Sequence, residues 1–158
     1  MLQLLGFILL FILISVWLGR HMLDKGQMVA PLSLPSLNGE LVNINWPSDQ
    51  QRTLVYFFAP WCSVCHISMP GLNLFVDSQS NDLQIVAIAL DYENSDEVRQ
   101  TIQDSGFKGQ VLLGNQQLAR TFNITAYPSY YMLDQHGRIL HSDRGLTTPV
   151  GVWLRARL

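Results

Sequence analysis

The chain has 158 residues and a formal net charge of −2, and 48% of its side chains are hydrophobic. This length fits one folded domain with an appended segment. The slightly acidic balance argues against a nucleic-acid partner, which requires a basic surface.

The hydrophobic excess is concentrated in residues 1–19, where Gln3 and Ser15 are the only strongly polar side chains. As a helix this segment would extend about 28 Å, close to the ~30 Å hydrocarbon core of a bilayer. No Lys or Arg precedes it and its end offers no small-residue cleavage site, which favours an uncleaved anchor over a signal peptide. We therefore predict a transmembrane anchor at 1–19, a connector at 20–29 and a folded domain at 30–158.

The first elements of the domain are predicted to be a hairpin and a buried strand. Residues 31–44 alternate around a turn at 36–39 that contains Asn38-Gly39, a strong short-range hairpin signal. A loop at 46–52 follows. The continuous apolar run at 53–58 predicts a strand that is buried on both of its faces.

Two helices and a second buried strand are predicted next. Helical spacing covers 64–76 and is interrupted by Pro70, which should kink the helix. Residues 83–90 form another buried apolar run. Ser95 is predicted to be the N-cap of a helix that reaches Ser105 and ends at Gly106.

The last third of the chain predicts short elements and then a second hairpin. These are a strand at 111–113, a helix at 115–122, a strand at 129–133, a turn at 134–137 and a returning strand at 138–144. A final helix is predicted with Thr148 as its N-cap and Pro149 at its first position. The order of elements predicts a mixed sheet with helices on both faces.

The two cysteines of the chain, Cys62 and Cys65, lie between the strand at 53–58 and the helix that follows. A Cys-x-x-Cys pair at such a junction is typical of redox chemistry. The helix N-terminus directs unpaired N–H groups at the first sulfur and favours the thiolate, which is the form that attacks a disulfide. The second cysteine, about one helical turn away, can resolve the mixed disulfide.

Structural alternatives for the pair are weaker. A purely structural disulfide closing so small a loop would stabilise the chain by only about 2 kcal/mol. A zinc site needs about four ligands, whereas the histidines show only one loose pairing with zinc-like spacing, His136 with His141. Redox chemistry is therefore favoured, with metal binding as the alternative. A protonated His66 would tune the pair, although an exposed position on the first helical turns explains it equally simply.

Several segments together resemble a known family. They are the hairpin at 30–39, the run Phe57-Phe58-Ala59-Pro60-Trp61-Cys62-Ser63-Val64-Cys65, the helix proline, the short helix at 115–122, and Tyr127-Pro128-Ser129 before a strand and turn. This pattern resembles the membrane-anchored, thioredoxin-like thiol–disulfide oxidoreductases of the TlpA/ResA/CcmG type. The resemblance implies an α/β thioredoxin fold with an N-terminal β-hairpin, and a redox-active disulfide in place of any cofactor or metal.

The resemblance also implies roles for individual residues. Cys62 is expected to attack and Cys65 to resolve, while Trp61 shields the sulfurs. Pro128 is expected to be cis, so that the segment at Tyr127 lies beside the disulfide and pairs with an extended substrate peptide.

Two positions, Tyr56 and Tyr127, depart from the family pattern. Tyr56 stands where thioredoxins keep a buried acid, and an ordinary phenol exchanges its proton poorly near neutral pH. Asp91 and Glu93, just after the second buried strand, are candidates for proton transfer, with solvated loop acids as the alternative. Tyr127 replaces the Thr that is common before the proline, which leaves substrate preference open.

The resemblance implies an enzyme that exchanges disulfides with envelope protein clients, as a reductant, for example in cytochrome c maturation. A membrane redox partner would recharge it, and the catalytic domain would face the periplasm from the bacterial inner membrane. The flanking charges Arg20 and Lys25 follow the span and, taken alone, favour a cytoplasmic domain instead. The alternatives are a copper-binding assembly protein on the same fold, since thiolates suit Cu(I), and an envelope dithiol oxidase.

Overall fold

The computed structural model describes residue 6 and the ranges 22–46, 52–76, 83–146 and 151–152. The predicted anchor lies outside these residues, apart from residue 6, as do Thr148 and Pro149 at the start of the predicted last helix. Residues 151 and 152 are helical. Within the described ranges, no helix is long and apolar enough to cross a membrane.

In the part of the chain that the structure describes, seven strands and three longer helices form in the order that the sequence predicts. The strands are β1 (Leu32–Pro35), β2 (Leu41–Ile44), β3 (Arg52–Phe58), β4 (Leu83–Ala89), β5 (Gln110–Leu113), β6 (Ser129–Asp134) and β7 (Ile139–Arg144). The helices are α1 (Ser63–Val76), α2 (Ser95–Ser105) and α3 (Gln116–Thr121). Helix α1 continues through Pro70, which is exposed.

The central sheet is mixed and has the strand order β5-β4-β3-β6-β7. Strands β3, β4 and β5 run parallel, whereas β6 and β7 are antiparallel to their neighbours. The predicted thioredoxin-like mixed sheet is confirmed. The predicted N-terminal hairpin is confirmed as well, as a separate two-stranded sheet of β1 and β2 with Gly39 at a φ of +83° in its turn.

Strand β3 contributes side chains to two hydrophobic cores, one on each face of the central sheet. Leu54, Tyr56 and Phe58 face the core that contains residues of α1 and α2. Val55 and Phe57 face the opposite core, which contains the hairpin and residues of α3. Because successive side chains of a strand point to opposite faces, the apolar run at 53–58 fills both cores at once.

The N-terminal part of the domain, from residue 22 through the β1–β2 hairpin, packs on the central sheet and reaches both of its edges. The amide of Val29 donates to the carbonyl of Gly137 at 2.8 Å, and Met28 forms a β-bridge with Arg138 beside β7. At the other edge, Ser36 forms a bridge with Leu112 of β5. Residues 22–44 therefore cross one face of the sheet between its two outer strands.

The prediction that Ser95 caps α2 is wrong by one residue. Asn94 is the N-cap, because its side-chain oxygen accepts the amides of Asp96 and Glu97, each at 3.0 Å. Both Asn and Ser are good capping residues, so the sequence offers two neighbouring starts. The predicted end is confirmed, with Gly106 in the left-handed conformation.

The topology gathers three loops at one edge of the sheet. The carboxyl ends of the parallel strands β3 and β4 lie at this edge, and so does the amino end of the antiparallel β6, since Phe57 pairs with Ser129. The loops that follow β3, follow β4 and precede β6 carry the predicted site residues Trp61, Cys62, Asp91, Glu93, Tyr127 and Pro128, and Cys65 lies in the first turn of α1.

Candidate active site

The cysteine pair lies where β3 passes into α1. The sulfurs of Cys62 and Cys65 form a disulfide, with their Cα atoms 5.3 Å apart. Cys62 directly precedes the first residue of α1, and its Sγ accepts the backbone N–H of Cys65 at 3.1 Å. This is the hydrogen bond that an N-cap side chain makes to the third residue of a helix, here with sulfur as the acceptor.

The electrostatics of this position favour negative charge on Cys62. The first turn of α1 contains no acidic residue to oppose the partial positive charge at the helix N-terminus. On reduction, a thiolate at Cys62 would keep the Cys65 N–H as a donor. The local geometry therefore supports the expected activation of Cys62 by the helix.

Exposure distinguishes the two cysteines. Cys62 keeps 5% of its surface exposed, whereas Cys65 is fully buried. Cys62 is therefore the cysteine that lies nearer to solvent. This difference matches the expected roles of attacking and resolving cysteine.

The aromatic residues expected at the site form a pair. Trp61 is 64% exposed, and its ring meets that of Tyr127 edge to face, with the centroids 5.6 Å apart. Both rings are held by Asp91, whose carbonyl accepts the Trp61 indole N–H at 3.2 Å and whose carboxylate accepts the Tyr127 hydroxyl at 2.9 Å. Burial, together with the adjacent Asp91 carboxylate, raises the pKa of Tyr127.

The segment before β6 has the expected conformation. The Tyr127–Pro128 peptide bond is cis, and Pro128 is buried. The Pro128 carbonyl accepts the Gly145 amide at 2.8 Å, and the Ala126 carbonyl accepts the Ser129 hydroxyl at 2.7 Å. Within the described ranges, the N–H and C=O of Tyr127 make no backbone hydrogen bond, which leaves them for an extended ligand.

A buried hydroxyl pair stands in place of the acid that thioredoxins keep below the cysteines. The hydroxyls of Tyr56 and Ser68 lie 2.6 Å apart, and Ser68 also donates to the Cys65 carbonyl at 3.3 Å. Burial raises the pKa of Tyr56, so the phenol stays protonated at neutral pH and cannot act as a base there. Sequence reasoning missed Ser68. Its signal is a polar residue one helical turn after Cys65 on the buried side of α1.

The two candidate proton carriers have different surroundings. Asp91 belongs to the aromatic cluster just described. Glu93 is exposed in the same loop, where its amide donates to the carboxylate of Glu97 at 2.9 Å, so the structure connects it to the start of α2. A proton-transfer role for either residue stays a prediction.

The remaining polar neighbour of the pair is His66, which is half-buried. Its ring Nε2 lies 2.8 Å from the Pro60 carbonyl. A carbonyl oxygen only accepts, so Nε2 donates and the ring stabilises the turn before α1. In the described part of the chain, no group of three or more His, Cys, Asp or Glu side chains could hold a metal ion.

Fold and site together define a thioredoxin-like thiol–disulfide oxidoreductase that carries its redox centre in its own cysteine pair. The family model described as Redoxin matches residues 24–149, and the chain belongs to this family.

Curated relatives and solved structures agree with this assignment. The chain is 24% identical over 149 residues to sporulation thiol-disulfide oxidoreductase A of Bacillus subtilis, covering 90% of this chain and 88% of the relative. It is 25% identical over 128 residues to the thioredoxin-like protein YneN of the same organism, covering 80% and 75%.

Among solved structures, StoA from Bacillus subtilis superposes with a TM-score of 0.69 at 22% identity, covering 82% of this chain and 98% of that one. A thiol:disulfide interchange protein of the thioredoxin family from Chlorobium tepidum gives 0.69 at 19% identity, covering 85% and 96%. These likenesses support the fold.

Proposed function

We propose that the protein is a membrane-anchored reductant of protein disulfides in the bacterial cell envelope, with cytochrome c maturation as one setting. The observation that carries the proposal is the position of Cys62, the less buried of the two cysteines, at the N-terminus of α1 next to the Trp61–Tyr127 pair, together with the Tyr127 backbone that makes no backbone hydrogen bond within the described ranges. An extended client peptide can pair with the Tyr127 backbone while its disulfide reaches Cys62.

The reaction proceeds in two exchanges. The Cys62 thiolate attacks one sulfur of the client disulfide, and the other client sulfur leaves as a thiolate. The resulting mixed disulfide joins Cys62 to the client. Cys65 then loses its proton and attacks Cys62, which releases the second client thiol and forms the Cys62–Cys65 disulfide. Two electrons pass from the protein dithiol to the client.

A dithiol partner in the membrane must then reduce the Cys62–Cys65 disulfide again. An anchor at 1–19 would keep the domain close to such a partner, and the apolar character of this segment supports that placement. Reduction as the net direction follows from the TlpA/ResA/CcmG resemblance, because the motif alone runs both ways.

Trapping tests the exchange with clients. Cys65→Ser removes the resolving sulfur, so it should accumulate mixed disulfides with envelope proteins that reducing agent releases. Cys62→Ser is the matched control and should trap none. If Cys65→Ser yields no disulfide-linked protein in membranes, client exchange through Cys62 is excluded.

A redox titration against glutathione tests the direction. A reductant should have a midpoint below about −220 mV, whereas a midpoint near −120 mV belongs to a strong oxidant and overturns the assignment.

A membrane-impermeant maleimide tests the location of the domain. It should label the reduced Cys62 in intact cells with a permeable outer membrane, and labelling only after lysis would place the domain in the cytoplasm.

A further inference from the structure

Asp91 makes two contacts that converge on the aromatic pair. Its carboxylate accepts the Tyr127 hydroxyl at 2.9 Å, and its main-chain carbonyl accepts the Trp61 indole N–H at 3.2 Å. The two rings meet at an interplanar angle of 83°. Asp91, in the loop that follows β4, therefore links the loop before α1 with the segment before β6.

The backbone of Asp91 is adapted to this task. Its φ of +49° lies in the left-handed region, which Asp, Asn and Gly tolerate better than other residues. This turn directly follows Leu90, whose amide donates to the Phe58 carbonyl at 2.9 Å and aligns the ends of β3 and β4. The left-handed conformation of Asp91 places its carboxylate at the edge of the sheet, where the loops that carry Trp61 and Tyr127 meet.

The aromatic pair lies in the path of a client. Cys62 exposes 5% of its surface and the neighbouring Trp61 exposes 64%, so a polypeptide that approaches Cys62 meets an exposed aromatic ring next to it. Asp91 and Tyr127 also line an adjacent groove of about 680 Å³, together with polar residues that include Arg120 and Thr125. The Tyr127 ring thus belongs both to the surroundings of the disulfide and to the wall of this groove.

We propose that Asp91 is a positioning residue for client peptides: it fixes Tyr127 against Trp61, so that a preformed aromatic surface receives the polypeptide beside Cys62. Ordering these side chains in advance lowers the entropy lost on binding. The raised pKa of Tyr127 is consistent with a phenol that remains a donor to Asp91 at neutral pH. This inference rests on the proposed exchange with polypeptide clients.

Proton transfer by Asp91 makes a different prediction. A proton carrier needs a carboxylate, whereas a positioning residue needs only an acceptor oxygen and a backbone that tolerates the left-handed region. Asp91→Asn keeps the acceptor and the backbone preference but removes the acid. Asp91→Gly keeps the backbone preference and removes the acceptor. Tyr127→Phe removes the hydroxyl and keeps the ring.

The experiment compares two substrates of the reduced full-length protein. One is a synthetic decapeptide with an internal disulfide, and the other is bis(2-hydroxyethyl) disulfide, which has no peptide backbone. The quantity measured is the ratio of their second-order rate constants. The matched control is Tyr92→Phe. The Tyr92 hydroxyl donates to the Gly114 carbonyl at 3.0 Å, so this variant also loses one tyrosine hydrogen bond, but outside the aromatic pair.

Asp91→Gly and Tyr127→Phe should each lower the peptide-to-small-disulfide ratio about fivefold, as expected for one partly exposed hydrogen bond to a charged group. Their combination should lower it no further than either alone, since both remove the same bond. Asp91→Asn should keep the ratio within about twofold of the wild-type value and should leave the pH profile unchanged.

Three results would overturn the positioning role. The first is an unchanged ratio in both Asp91→Gly and Tyr127→Phe. The second is a ratio in Tyr92→Phe that falls as far as theirs. The third is an Asp91→Asn variant that is as impaired as Asp91→Gly and has a shifted pH profile, which would establish proton transfer. Cys62→Ser separates this inference from the proposed function. Residual activity in Cys62→Ser defeats the thiol–disulfide mechanism. Complete loss of activity in Cys62→Ser, together with an unaltered ratio in Asp91→Gly and Tyr127→Phe, defeats only the role of Asp91.

Discussion

The backbone N–H of Cys65 donates to the sulfur of Cys62 at 3.1 Å, so the cysteine expected to resolve places a hydrogen-bond donor on the cysteine expected to attack. The hydrogen bond has N-cap geometry, and it adds to the partial positive charge of the 14-residue helix α1. Both effects act on Cys62 and neither acts on the Cys65 sulfur, which is buried within the helix.

This asymmetry predicts selective alkylation. In the reduced protein, iodoacetamide should modify Cys62 at least about tenfold faster than Cys65, because Cys62 is both more exposed and more readily ionised. Peptide mass spectrometry after short exposure measures the two rates separately. Equal rates would mean that the helix terminus does not activate the first cysteine.

The buried hydroxyls predict unequal stability losses. Ser68→Ala leaves the Tyr56 hydroxyl buried without its partner and should lower the free energy of unfolding by about 2 kcal/mol. Tyr56→Phe leaves Ser68 bonded to the Cys65 carbonyl and should lower it by only about 1 kcal/mol.

Urea unfolding measures both losses. Because one hydrogen bond is shared, the double variant should be no less stable than Ser68→Ala alone. Fully additive losses in the double variant would show that the two hydroxyls act independently.

Burial of Tyr56 predicts instability at alkaline pH. The pKa of this phenol is raised in the folded state, so its contribution is complete below the unfolded value near 10 and declines as the pH rises above it. The free energy of unfolding should then fall by up to about 1.4 kcal/mol per pH unit for this one group. Tyr56→Phe should show a shallower decline between about pH 9 and 11. Parallel curves for the two proteins would contradict this origin.

The corrected cap of α2 gives a paired test. Asn94→Ala removes the acceptor for the amides of Asp96 and Glu97 and should lower the free energy of unfolding by about 1 kcal/mol. Ser95→Ala lies one residue inside the helix and should change stability by less than about 0.5 kcal/mol, since Ala has the higher helix propensity. Thermal unfolding of both variants decides between the two caps, and a larger loss in Ser95→Ala would restore the original prediction.

The sequence predicted those parts of the molecule that depend on local pattern. The apolar run of β3, the Asn-Gly turn, the order of the described elements and the cysteine pair at a strand-to-helix junction all follow from residues close together in the chain. Periodicity and turn chemistry carry this information without tertiary contacts.

The contacts that shape the site are not local. Asp91 and Tyr127 are separated by 36 positions, and Tyr56 and Ser68 by 12. The sequence identified the two residues singly. Asp91 was one of two candidates for proton transfer because it follows the second buried strand, and Tyr127 was identified by the resemblance around Pro128. Only the register of β3 with both β4 and β6 brings these loops together.

Residues 22–44 reach both outer strands of the central sheet, β7 through the backbone hydrogen bonds of Gly26 and Gln27 with Ile139 and β5 through the bridge of Ser36 with Leu112. Outer strands normally expose unpaired backbone that recruits foreign strands and promotes aggregation. Part of each border is already occupied by the chain itself, whereas the Tyr127 backbone makes no backbone hydrogen bond within the described ranges. Under the proposed function, strand pairing with a client at Tyr127 would bring that client beside the disulfide, and pairing along the covered stretches of the borders would be blocked.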